Sequence, residues 1–192
     1  ILSTQLEELG DVDEIEVHIN SYGGEVAEGL AIYNALRGNA ARVKTVCDGL
    51  ACSIASVIFM AGDERVMRKA SMLMIHNAWA YGEGNAAELR KQADDLDAIT
   101  EASKAAYLSR ISIDAEELTA LMDAETWIAP ERAVEMGFAT AVDEFDDAPG
   151  PSQCALRALV ALAAAKEADP EDPDDPDDPE DPEDPEDPEA AD

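Results

Sequence analysis

Polar and apolar residues alternate over residues 12–20, with Ile15, Val17 and Ile19 on one side and Glu14, Glu16 and His18 on the other. That period of two predicts a strand with one face buried. Ser21-Tyr22-Gly23-Gly24 breaks the alternation, and over residues 26–36 the apolar spacing becomes three and four, through Val26, Leu30 and Tyr33 and through Ala27, Ala31 and Ala35. This predicts a helix that closes at Gly38-Asn39. Residues 43–47 read as a second strand, Asp48-Gly49 as a turn, 52–61 as an apolar helix, and 65–67 and 71–75 as further strands. Alternating strands and helices predict an α/β fold.

Beyond a loop at residues 82–85, residues 86–109 predict one long helix with thin, mostly alanine apolar positions and a face carrying Glu88, Arg90, Lys91, Asp94, Asp95 and Asp97. A helix over 114–122 has Asp114 as N-cap and Glu117 at the capping-box position. Pro130 suits the opening of a helix over 131–136 that ends at Gly137. The polar stretch 146–151 marks a domain edge, and 152–166 is an alanine- and leucine-rich helical pattern. Residues 169–188 then repeat Asp/Glu-Asp-Pro at period three. Regular prolines and like charges predict an extended, disordered segment there. The chain thus divides into a domain at 1–145, a linker and helix at 146–166, and an acidic tail at 167–192.

Charge sharpens that division. The 192 residues hold 44 acids and 13 bases, a formal charge of -31, yet the tail alone carries 16 of the acids and no base. The remainder is only moderately acidic and 46% of the whole chain is hydrophobic, enough for a core. Few bases exclude a broad phosphate-binding surface, so no nucleic-acid partner is expected. No apolar run reaches the roughly 20 residues needed to span a bilayer, so no membrane association is expected. The chain begins at Ile1 without a basic, then apolar leader, which predicts an N-terminally incomplete chain with no secretory signal. Cys47, Cys52 and Cys154 form an odd set without paired spacing, which predicts a reducing, cytoplasmic setting and neither disulfides nor zinc. The carboxylates of the tail lack the loop geometry of a calcium site, so no metal or cofactor is expected.

Only two histidines are present. His18 sits within the alternating strand and reads as an ordinary strand position. His76 ends the apolar run Met72-Leu73-Met74-Ile75 and opens a loop, a place from which a rigid element presents a side chain to substrate or caps structure. Cys52, Ser53 and Ser56 are nucleophile candidates in a segment of small residues at a helix start, where unpaired N–H groups can meet an oxyanion. The bland alternative is that both serines are small helix residues.

Together these segments resemble the Clp protease proteolytic subunit family, and its phage head maturation relatives more closely. Ile19-Asn20-Ser21-Tyr22-Gly23-Gly24-Glu25-Val26 is similar to the family's glycine turn with Tyr22 in place of proline. Asp48-Gly49-Leu50-Ala51-Cys52-Ser53-Ile54-Ala55 resembles its nucleophile segment, and Met74-Ile75-His76-Asn77 its histidine motif. The resemblance implies a spiral of strand-helix repeats with residues 86–109 as a long handle helix. It also implies a serine endopeptidase with Ser53 as nucleophile, His76 as base, and backbone N–H groups of Gly23 and Ile54 at the oxyanion. Counting back from Gly137 places the third triad member at Glu125, with Asp123 as its rival. Implied partners are flexible polypeptides, further copies in a ring, and an AAA+ unfoldase. The wording of Thr126-Trp127 and of Met60-Ala61-Gly62-Asp63, with the C-terminal extension, favours prohead maturation, acting on capsid or scaffold proteins in the host cytoplasm or assembling prohead, over housekeeping turnover. Crotonase-type enzymes share the fold but lack this serine and histidine, signal-peptide peptidases use lysine, and a noncatalytic scaffold is the alternative from another class.

Overall fold

The computed structural model describes Leu6 and residues 8–143. The expected linker, the helix at 152–166 and the acidic tail lie outside the described residues. The elements are β1 (Glu14–Ser21), α1 (Val26–Arg37), β2 (Arg42–Cys52), α2 (Ile54–Phe59), β3 (Glu64–Arg68), β4 (Met72–Ile75), α3 (Ala86–Leu108), α4 (Ala115–Asp123), β5 (Thr126–Ile128), α5 (Pro130–Glu135) and β6 (Ala141–Asp143). They form an α/β layer structure around one six-stranded sheet, as the periodicity predicts. No helix among the described residues is long and apolar enough to cross a membrane.

The sheet runs β5-β4-β2-β3-β6, with β1 paired to β2. All pairings are parallel except β4 with β5. The long strand β2 changes partner midway: Lys44–Cys47 pair with Glu64–Met67 of β3, whereas Leu50–Cys52 pair with Met72–Met74 of β4. The change falls at Asp48-Gly49, where a turn is expected from sequence. The structure corrects that expectation, because the chain passes straight through. The register against β1 shifts between Ile19 and Ser21, and Asn20 Oδ1 accepts the Leu50 N–H at 3.1 Å, replacing a ladder bond across the irregularity.

Two further differences have simple causes. The helix expected over 52–61 spans only Ile54–Phe59, because Cys52 remains in β2 and Ser53 has a non-helical backbone. Strands β5 and β6, three residues each, are too short to show a period. Asp114 caps α4 as expected, accepting from Glu116 and Glu117 N–H groups, while a full reciprocal capping box forms at α3 between Asn85 and Glu88. Pro130 opens α5, and Gly137, with φ +80°, ends it.

The core lies between the sheet and α2, α4 and α5, and includes Phe59, Met67, Leu73, Ile75, Leu118, Met122 and Phe138. One buried cation ties its rim. Arg65, 5% exposed, donates to the carbonyls of Phe138 (2.8 Å), Gly62 (3.0 Å) and Gly137 (3.1 Å). Burial, then the charges of Arg110 and Arg37, lower its pKa. Arg65→Met fills similar space but strands three carbonyls. It should therefore cost about 3 kcal/mol of stability, read as a fall in the urea midpoint at constant slope.

Candidate active site

The connection from β2 to α2 is abrupt. Ser53 sits between them with φ 56° and ψ -130°, a region that non-glycine residues rarely occupy and that costs on the order of 1–3 kcal/mol. Its N–H donates to the Met74 carbonyl at 2.8 Å, pinning the turn to β4. The bend lifts the side chain out of the sheet toward the end of that strand. There His76 Nε2 lies 2.7 Å from Ser53 Oγ. These two residues, 23 apart in sequence, meet because β2 and β4 are parallel neighbours that end together.

The antiparallel β4–β5 pair brings in a carboxylate. Its register matches Leu73 with Ile128, Met74 with Trp127 and Ile75 with Thr126. His76 directly follows β4 and Glu125 directly precedes β5, so both lie at the same end of this strand pair. Glu125 has φ 49°, just past the end of α4, where glycine is the usual residue. Among the described residues, Ser53 and Glu125 are the two non-glycine residues with positive φ, and both line one cleft. The cleft holds about 660 Å³ and is walled by Tyr22, Gly23, Gly24 and Met74 as well as Ser53, His76, Trp79 and Glu125. The Glu125 carboxylate makes no hydrogen bond to the ring in this structure. Asp123 lies outside that lining and accepts from Asn77 Nδ2 at 2.7 Å.

The glycine turn also reaches this site. A Cβ on Gly23, where φ is +103°, would lie 2.7 Å from Ser53 Cβ and 2.9 Å from the Cys52 carbonyl oxygen, so only glycine fits against the nucleophile turn. Its N–H, expected at the oxyanion, donates to Ser21 Oγ at 3.1 Å. The Gly24 N–H makes no hydrogen bond among the described residues. Ile54 opens α2, where an N–H has no acceptor within its helix.

The rival nucleophiles are occupied or buried. Cys52 is fully buried, and that burial pushes its thiol pKa up, away from the reactive thiolate. Ser56 is 1% exposed and donates to the Ser53 carbonyl. His18 stands apart from the cleft on the outer sheet face, with Glu16 and Asp48 each 2.8 Å from one ring nitrogen. Lys44, hydrogen-bonded to Glu16, holds that carboxyl below its usual range. Arg68 continues the network by bonding both Asp48 and Asp143. The sequence pattern did not single out Trp79 or Tyr107 as parts of the site, and it offered Ser56 only as a nucleophile candidate. Trp79 lines the cleft and stacks edge-on against Tyr81 at 5.3 Å, and Ser56 with Tyr107 forms a buried pair behind Ser53. An aromatic on an otherwise alanine-rich helix was the available signal for Tyr107.

The family model described as Clp protease matches residues 3–145. The ATP-dependent Clp protease proteolytic subunit of Deinococcus radiodurans is 36% identical over 126 residues, covering 65% of this chain and 62% of that protein. Proteolytic subunit 1 of Prochlorococcus marinus is 32% identical over 126 residues, covering 65% of each. The subunit of Bacteroides thetaiotaomicron is 30% identical over 141 residues, covering 71% of this chain and 64% of its own length. The chain therefore spans just under two thirds of these relatives.

Proposed function

Because the chain belongs to the Clp protease family, we propose that it is a serine endopeptidase acting through Ser53, His76 and Glu125. The observation that carries this reading is the 2.7 Å contact between Ser53 Oγ and His76 Nε2 at a strained strand-to-helix bend. Ser53 Oγ attacks a peptide carbonyl while Nε2 takes its proton and later returns it to the leaving amine. That role leaves the other ring proton on Nδ1, where Glu125, at the same end of the strand pair, orients the ring and offsets the imidazolium charge. The developing oxyanion takes the Ile54 N–H and one from the glycine turn. Gly23, the glycine packed against Ser53, supplies that donor by exchanging its Ser21 Oγ acceptor for the substrate oxygen.

The open cleft suits an extended polypeptide. A fluorophosphonate probe tests the reading directly: a single adduct should map to Ser53. No adduct, or one on Ser56 or Cys52, would overturn it, and absence of labelling would favour a noncatalytic scaffold.

The chain acts, on this reading, within an oligomer. Residues 86–99 of α3 contain no buried position, and Leu89 and Ile99 are exposed on it at 43% and 38%. A helix projecting that far with apolar side chains gains by packing on another copy. Light scattering behind gel filtration should give a ring-sized assembly, whereas a monomer at high concentration would refute this. The names of the relatives favour a proteolytic subunit working with an ATPase in protein turnover. Prohead maturation rests on Thr126-Trp127 and the long acidic extension. Portal and capsid genes beside its own would decide for that second setting.

A further inference from the structure

Ser53 is held in its rare backbone conformation at both ends, by the Met74 bond to its N–H and by a grip on its carbonyl from behind. The Ser56 N–H donates to that carbonyl at 2.9 Å and the Ser56 hydroxyl donates to it at 2.6 Å. The same Ser56 Oγ lies 2.6 Å from the phenol oxygen of Tyr107, on α3. A serine hydroxyl has one proton and a carbonyl can only accept, so the Ser56 proton is committed to Ser53 and Tyr107 must be the donor to Ser56. Both residues are 1% exposed. Burial also pushes the phenol well above its ordinary pKa, so it keeps its proton throughout the neutral range.

Tyr107 is itself fixed, edge-on to Phe138 at 5.7 Å. Two turns earlier on the same helix, Thr100 Oγ1 accepts the Ala78 N–H at 3.0 Å, in the loop that follows His76. One rigid helix thereby holds both the segment that carries the nucleophile and the segment that carries the base. Precision of this kind is what catalytic geometry requires of its supporting shell.

We propose that Ser56 and Tyr107 are positioning residues for the nucleophile, with the chain Tyr107 O–H to Ser56 O–H to the Ser53 carbonyl holding Ser53 Oγ on His76. This rests on the reading of Ser53 as the nucleophile. A purely structural pair would affect folding without affecting the rate of the folded enzyme, so the two accounts separate in kinetics.

The test measures fluorophosphonate labelling rate, kcat, KM and Tm on the full chain. Tyr107→Phe should lower kcat and the labelling rate roughly tenfold, about the effect of one lost hydrogen bond, with KM within about twofold. Ser56→Ala should do at least as much, and the double variant no more than Ser56→Ala alone, because Tyr107 acts only through Ser56. Ser56→Thr keeps a hydroxyl and should recover rate. Val43→Ala, which truncates a buried β2 side chain packed with Leu36 and Ala61 in a separate cluster, should lower Tm but leave the kcat of folded protein near that of wild type. A wild-type rate in Tyr107→Phe, additive losses in the double variant, or an equal kcat loss in Val43→Ala would overturn the proposal. In each of those cases the wild-type chain is still labelled at Ser53. If it is not labelled there, the nucleophile assignment falls, and the positioning role falls with it.

Discussion

Ser53→Ala should reduce peptide hydrolysis by on the order of a million-fold, because it removes the atom that forms the covalent intermediate. Residual turnover would come from the cleft and its backbone donors, which work on water as well as on serine. Folding should survive: the Ser53 N–H bond to Met74 and the bonds from Ser56 to the Ser53 carbonyl all use backbone atoms of residue 53. The Tm should therefore stay within a few degrees of wild type, and loss of activity cannot be attributed to unfolding. Fluorophosphonate labelling should vanish in Ser53→Ala and persist in Cys52→Ala, whose thiol is buried and weakly acidic. Labelling that survives in Ser53→Ala removes the nucleophile assignment.

Glu125→Gln should lower kcat by roughly 10³- to 10⁴-fold with little change in KM, the loss seen when a triad carboxylate becomes an amide. The amide keeps the size of the side chain and the backbone at φ 49°, but its NH₂ presents a donor to the ring and favours the wrong tautomer. The contrast is Asp123→Asn. Asp123 faces Asn77 outside the cleft, so its replacement should leave kcat within about twofold, in line with ordinary surface changes. If Asp123→Asn inactivates and Glu125→Gln does not, the roles are reversed. The cleft argues for Glu125, which lines it together with His76 and Ser53, whereas Asp123 ends α4 and is bonded to Asn77.

Much of the fold was legible in local pattern. Strand β1, helix α1 and the long α3 follow from periods of two and of three to four, and Asp114, Pro130 and Gly137 mark their elements because caps are local chemistry. The errors also share a cause. At Asp48-Gly49 a turn-forming pair occupies a strand irregularity, because Asn20, thirty residues before Leu50, supplies the missing acceptor. The early start expected for α2 failed because Ser53 adopts a conformation set by a bond to Met74 in another strand. β5 was invisible at three residues, yet it leads back from Glu125, which lines the same cleft as His76.

The sequence by itself determined that one acidic chain combines a cored α/β domain with a separate run of carboxylates. Its motifs also pointed, through their resemblance to the family, to Ser53, His76 and either Glu125 or Asp123 as candidates, because residue type and motif order are properties of the chain. Tertiary structure alone decided that Ser53 and His76 touch, that Cys52 and Ser56 are buried away from the cleft, that the Gly23 N–H is engaged by Ser21 while that of Gly24 is not, and that Tyr107 reaches the nucleophile turn. The physical reason is that each of those facts depends on two segments brought together by strand register or helix packing. A pattern with a period of two or 3.6 residues shows which face of an element is buried, but not which distant atom it will meet.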